Sequence, residues 1–295
     1  MKRQGMVLLS IVLFSFAGCG QSNIFSWAHS PGSSSSTSSL SVDASQALQN
    51  KDYAKAMQYY SQILKSNPNN SQAIYGYCSA ELASSGIDIA SLVSNLVVQN
   101  NNGNNNNNNG NNNNNNNNPS FSRLASALAY AAHAPASNSL LPSDIIKNEV
   151  AIKKALNIVL GSQYLLKIVE GKGDGTIAPD NPDVNVNIAF CLVLLAALKV
   201  NDYGIVTFNN DYTVTVPAST TVSNTQVIND ADDFGRDIIS AYYRLMVVVK
   251  KLNLDNNAMV SQIESDVQTL FGNLQTAIPG INLNTSTDYY LSGQY

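Results

Sequence analysis

The sequence predicts an all-α fold, an array of helical hairpins carrying one small β-hairpin at about 204–216 and a disordered Asn-rich insertion. Three observations predict it. Apolar residues recur at spacings of three and four through most of the chain after residue 43, which marks one buried face of a helix. Asn, Gly and Pro punctuate these stretches, as helix stops and turns do. Only the segment around Asn209-Asn210-Asp211 is flanked by short β-branched and aromatic runs, 204–208 and 212–216, a hairpin signal that two strands alone make marginal.

The N-terminus has a different logic. Lys2 and Arg3 are its only charges, and Met6 to Ala17 is almost wholly apolar. Small residues Ala17 and Gly18 precede Cys19. A basic end, a short apolar stretch and small residues at the cut make a signal peptide. The apolar stretch falls short of the ~20 residues a spanning helix needs.

The run Phe16-Ala17-Gly18-Cys19 resembles the bacterial lipobox, usually Leu-Ala-Gly-Cys. The resemblance implies diacylglycerol on the Cys19 sulfur and cleavage before it, since a thiolate is the nucleophile that takes the lipid. Each buried methylene adds ~0.8 kcal/mol to membrane binding, and stable anchoring takes more than one chain. Residues 19–40 then read as a tether, Ser/Thr only from Ser33 to Ser39, with a span of roughly 25 Å. Gly20 stands where an Asp favours inner-membrane retention in some bacteria, so the expected location is the cell or outer membrane.

Residues 43–68 predict a helical hairpin. Tyr53, Ala56, Met57, Tyr60, Ile63 and Leu64 form one stripe, Asn50-Lys51-Asp52 makes the turn before it, and Pro68 stops it. A further helix runs over Ser71 to Ala83, with Ile74, Tyr77 and Cys78 at packing positions. Over about 41–83 the chain resembles a tetratricopeptide repeat, whose 34-residue unit is two helices with small and aromatic signature positions. Tyr53, Ala56, Tyr60 and Pro68 stand at those places of the second helix, and Ala47 and Leu48 close the first. The resemblance implies an α-solenoid. Such stacks need about three repeats, so residues 41–99 would hold the first hairpins and 119–280 would continue the array. It also implies a concave partner-binding groove, faced here by Gln72, Tyr75 and Ser79.

Residues 100–118 are Asn apart from Gly103 and Gly110, with nothing apolar to bury, and predict a disordered tract. Helical composition flanks it at 87–98 and 121–134. Ser143 or Asp144 is placed to cap a helix running to about Val169, with Ile145, Ile146, Val150, Leu156, Val159 and Leu160 inward. Ile188 to Leu198 is eleven apolar residues without a break, short for a membrane span and suited to a central helix buried all round. Two more stripes follow: Phe234, Ile238, Tyr242, Leu245, Val249 and Leu252, then Val260, Ile263, Val267, Leu270 and Leu274. A Ser/Thr-rich loop is expected over 218–229 and a C-terminal tail over 281–295.

Composition narrows the chemistry. Sixteen Lys and Arg face 20 Asp and Glu, and loss of residues 1–18 leaves a charge of −6, so nothing suggests nucleic acid. The two histidines, His29 and His133, have no partner by spacing, and no nucleophilic or zinc set can be assembled. No catalytic residue, cofactor or metal is expected, and the chain is read as a non-enzyme. Gly173-Asp174-Gly175-Thr176-Ile177 is similar to the middle of a calcium loop. Lys172 at a ligand position and Asn181 for the final Glu break that pattern, leaving a looser set of Glu170, Asp180 and Asp183 against a plain helix-linking turn. Asp230, Asp232 and Asp233 are expected to face the positive end of a helix starting at Phe234. Cys78 and Cys191 lie in apolar helical patterns; a buried thiol is common there, and a disulfide is possible in an oxidising compartment.

These features predict a membrane-anchored repeat lipoprotein that acts as a protein-binding scaffold in the bacterial cell envelope. Its expected partners are membrane lipid, through acylated Cys19, and a protein or peptide. Two alternatives remain. One is an accessory lipoprotein of a periplasmic solute-binding transporter, holding a small ligand; the other is an outer-membrane assembly factor.

Overall fold

The computed structural model describes residues 37–87, 147–203, 207–208, 214–215, 224–251 and 257–292. The segments expected as signal peptide and lipidation site, 1–19, most of the expected tether, both histidines, the Asn-rich tract, residues 88–98 and 121–134, Ser143, Asp144 and most of 204–216 lie outside them.

The described chain is helical: α1 (Thr37–Gln49), α2 (Tyr53–Ser66), α3 (Ser71–Ser84), α4 (Glu149–Leu160), α5 (Leu165–Val169), α6 (Pro182–Tyr203), α7 (Asn224–Lys251) and α8 (Asn257–Ala277). A two-residue antiparallel ladder, β1 (Thr207–Phe208) with β2 (Val214–Thr215), pairs Thr207 with Thr215 and Phe208 with Val214.

Local chemistry sets the boundaries. Lys51 takes the left-handed conformation at φ 60°, and its neighbour Asp52 donates its N–H to the Ala47 carbonyl, which turns the chain from α1 into α2. The Asp52 carboxylate then accepts the Lys55 N–H at 3.3 Å, an N-cap. Asn70 caps α3 in the same way through the Ala73 N–H at 2.8 Å. Two helices end alike. Gly86 at φ 89° lets Ile87 N–H reach Leu82 O, and Gly171 at φ 72° lets Lys172 N–H reach Lys167 O; only a residue free to adopt positive φ closes this motif without strain. Pro182 opens α6 behind Asn181, whose side chain accepts the Val184 N–H at 3.1 Å.

Two apolar clusters result. The smaller joins Ala44, Ala47 and Leu48 of α1 to Ala56, Tyr60 and Ile63 of α2 and to Ala73 and Ala80 of α3. The larger takes the other side of α3, through Ile74, Tyr75, Cys78 and Leu82, and continues through α4 to α8. Thus α3 belongs to both. Gly76 is what lets α2 close on it: a Cβ there would lie 2.3 Å from Cζ of Tyr60, inside any real contact. Among the described residues the most extensive packing is α6 against α7.

The 18 residues Pro182–Lys199 are long and apolar enough to cross a membrane, but 67% of that window is buried within the fold. The helix therefore behaves as the expected central core helix.

Several expectations need correction. The segment expected as a tether, 19–40, overlaps α1, which begins at Thr37. The helix expected to run to Val169 stops at Leu160. Gly161 takes an extended conformation and a turn at 161–164 separates α4 from α5. Val150 is not inward but 85% exposed. The buried stripe is Ile152, Ala155, Leu156, Val159 and Leu160, and two residues turn a helix by about 200°, which puts Val150 on the far side. Lastly, α7 starts at Asn224, ten residues before Phe234. Val227 and Ala231 are buried and extend the apolar stripe backwards, so residues 224–229 of the expected loop are helix.

The segment after α8 is also part of the core and no loose tail. Ile281, Leu283, Tyr289 and Tyr290 are buried in the larger cluster. Tyr290 donates its hydroxyl to Leu160 O at 2.9 Å and its N–H to Ser240 Oγ at 3.0 Å. Arg244 of α7 pairs with Asp288 and donates to Asn185 Oδ1 at 3.2 Å. Asn185, itself buried, anchors the start of α6 through Pro179 O and Asn181 O, both at 2.9 Å.

Candidate functional site

The three residues expected to face a groove sit on α3, and the fold treats them differently. Gln72 and Ser79 are half-buried, while Tyr75 is 2% exposed. Tyr75 therefore does not face an open groove. Its hydroxyl accepts a hydrogen bond from the Asn187 amide of α6 at 2.5 Å, and the larger core encloses its ring. Ser79 donates its hydroxyl to the Tyr75 carbonyl one turn back, at 2.9 Å. The covering of this face by α6 is the physical reason for the correction, and nothing in residues 71–83 alone announces it.

Around Tyr75 the core gathers the described chain's two thiols and Tyr290. Cys78 and Cys191 are both free, at 1% and 0% exposed. Burial pushes the Cys191 thiol up to about 12. Burial also raises Cys78 well above its ordinary value, and the nearby Cys191 and Glu81 raise it further; the Leu165 backbone N–H pulls the other way. Burial, then the charge of Asp183, raises the Tyr75 phenol, and burial raises Tyr290. All these groups stay protonated at neutral pH. A thiol in this state is not a nucleophile.

Protein-family models, curated proteins and solved structures yield no match to this chain. The chemistry must be read from its own residues.

The loop between α5 and α6 serves helix capping. Asp174 accepts N–H bonds from Ser71 at 3.2 Å and from Thr176 at 3.1 Å, and the Thr176 hydroxyl at 2.7 Å. Its own N–H donates to Asn69 O at 2.7 Å. Thus Asp174 covers the first turn of α3 from more than a hundred residues away, where a carboxylate meets the positive end of the helix dipole. Burial raises its carboxyl, but the bonds from Thr176 and Ser71 outweigh that and hold it below the usual value. The other carboxylates of the loop diverge. Glu170 pairs with Lys172 at 2.9 Å and Asp180 with Lys251 at 2.6 Å. Asp183 is half-buried at the start of α6 with its carboxyl raised by burial. Among the described residues no three His, Cys, Asp or Glu side chains gather as a metal site would require.

The Asp230 cluster disperses too. Those residues lie in the second and third turns of α7 and not at its N-terminus, because the helix starts at Asn224. Asp230 accepts from Gln226 Nε2, Asp232 pairs with Arg236 at 3.6 Å and accepts the Asn282 N–H, and Asp233 pairs with Lys199 at 2.8 Å. Lys199 reaches the fully buried Asp237 at 2.9 Å as well, fastening α6 to α7.

Sequence reasoning missed three of these devices: Asp174, the Lys199–Asp237 pair and the Arg244–Asp288 pair. Adjacent Tyr289 and Tyr290, after Ile281 and Leu283, were the available signal that the last segment is buried.

Proposed function

We propose that this chain is a lipoprotein of the bacterial cell envelope, anchored through acylated Cys19, whose helical array is a scaffold for a protein partner. The observation that carries the reading is the Phe16-Ala17-Gly18-Cys19 run behind a basic, apolar leader, with the first described helix starting at Thr37. The linked residues leave roughly 25 Å of reach between lipid and fold. A repeat-like stack supports the scaffold half: α1, α2 and α3 pack as successive neighbours, and α3 passes the stack on to α4 and α5.

The partner face in this reading is not the Tyr75 side of α3, which α6 occupies. The exposed flank of α1 is the better place, where Val42 stands 65% exposed beside half-buried Leu40 and Ser41. A second copy of the repeat, or a helix of a partner, would bury such a flank.

Metabolic labelling with a palmitate analogue tests the anchor: the wild type takes label and the Cys19→Ser chain does not. Crosslinking in intact envelopes, followed by mass spectrometry, tests the scaffold through a partner lost on Val42→Glu. A labelled protein that turns over a substrate and retains no partner would sink the scaffold half and leave the anchor standing.

A further inference from the structure

We propose that Tyr77 and Tyr164 are an oxidative crosslinking site, where one-electron oxidation couples the two rings into a dityrosine that ties α3 to the turn before α5. The two side chains, one from α3 and one from the turn at 161–164, stack face to face, with ring centroids 5.0 Å apart and planes 16° from parallel. That lies at the short end of the roughly 4.5–7 Å over which aromatic rings pair. Tyr242 and Tyr243 meet instead as edge and face, at 5.4 Å and 69°. Both stacked rings are half-buried, and they lie on the seam of the fold: Tyr77 packs against the smaller apolar cluster and Tyr164 against the larger. Their phenol ends meet as well. The Tyr77 phenol shares hydrogen bonds with the Tyr164 phenol and with the Glu81 carboxylate. Glu81 stands four residues on, over the same face of α3.

The oxidant is hydrogen peroxide acting through a haem peroxidase. Burial, then Tyr164 and Glu81, raise the Tyr77 phenol, so it holds its proton at neutral pH. A phenol gives up an electron readily only as its proton leaves, and the Glu81 carboxylate is placed to take that proton. Each phenol loses one electron and one proton and becomes a phenoxyl radical. The peroxide gains the two electrons and two protons and leaves as two waters. The unpaired electron of a phenoxyl radical is spread over the oxygen and the ring carbons ortho and para to it. The para carbon carries the side chain, so coupling falls to the ortho carbons. The two radicals pair their electrons in one ortho–ortho C–C bond. The hydrogen on each of those carbons moves to its own ring's oxygen, which restores two phenols. In the product the hydroxyls flank the new bond side by side, much as the hydrogen-bonded phenols already stand.

The inference stands on this geometry and not on the scaffold reading. Its test treats the folded, full-length chain with hydrogen peroxide and a haem peroxidase, then maps the links by proteolysis and mass spectrometry. The expected product shows dityrosine fluorescence, stays monomeric on a denaturing gel and gives a crosslinked peptide pair holding Tyr77 and Tyr164, lighter than its two parents by two hydrogens. The chain has fourteen tyrosines, so the same treatment in denaturant should scatter the links among them. Tyr77→Phe and Tyr164→Phe keep the rings and lose this peptide pair, whereas Tyr243→Phe retains it. Glu81→Gln, which removes the proton acceptor, lowers the initial rate at which it forms. Oxidation of the folded chain that leaves Tyr77 and Tyr164 unlinked, couples them no more often than other tyrosines, or yields only links between chains overturns the proposal. An unchanged rate in Glu81→Gln overturns the role given to its carboxylate. The palmitate outcome above is unaffected either way.

Discussion

Asn187 on α6 donates its side-chain amide to the Tyr75 hydroxyl on α3, at 2.5 Å, inside the core. This bond joins the helices before residue 88 to those after residue 146. Removing only the hydroxyl, in Tyr75→Phe, leaves the amide without this acceptor, and such a loss costs about 1–3 kcal/mol. Urea unfolding should show a lower midpoint with unchanged slope. Pairing it with Asn187→Leu should recover part of the loss, because both polar groups then disappear together; a double variant as unstable as the sum of the singles would contradict the assignment.

Gly76 should tolerate no side chain. In Gly76→Ala the new methyl meets the Tyr60 ring at 2.3 Å, so α2 must shift away from α3. Overpacking of this kind costs about 1–3 kcal/mol. Thermal melts should place Gly76→Ala below wild type and Gly76→Ala with Tyr60→Leu above the single variant.

The Arg244–Asp288 pair is shielded from water, with side-chain exposures of 5% and 14%. Asp288→Ala strands a buried guanidinium, and breaking such a pair costs about 3–5 kcal/mol. Arg244→Met with Asp288→Leu should be far milder. Proteolysis after residue 278 reports the effect directly, since this pair and Tyr290 hold that segment down.

Acid should weaken the cap on α3 in a defined direction. The folded carboxyl of Asp174 sits below its ordinary value, so its contribution is full above the unfolded value of 3.8 and is lost as pH falls through the lower folded value. Near neutrality Asp174→Ala should cost about 1 kcal/mol, as N-cap removal does. The gap between variant and wild-type melting temperatures should close in strong acid. A gap that persists there would show that Asp174 acts through packing instead.

Much of the helical order was legible because it is local. The stripe from Tyr53 to Leu64, the stop at Pro68, the start at Ser71 and the all-apolar run of α6 each follow from a few neighbouring residues. Two errors were also local but fine-grained. Gly161 looked like an ordinary helix residue, and Val227 with Ala231 were hidden in a polar stretch of Asn, Thr and Gln. The candidate groove failed for a different reason. Periodicity gives the faces of α3 but not what lies against them, and α6, which covers Tyr75, comes a hundred residues later. The roles of Asp174 and Asp288 are invisible in the same way, since each serves a group far off in sequence.

The double membership of α3 has a consequence for dividing the protein. A cut anywhere in 88–146 would yield an N-terminal piece that keeps the smaller cluster yet leaves Ile74, Tyr75 and Cys78 bare. Its counterpart would lack one wall of its interior. Neither piece is a module in its own right. Co-expressed, the two should find each other and rebuild the native interior as a non-covalent pair, a case of fragment complementation in which α3 is the shared key.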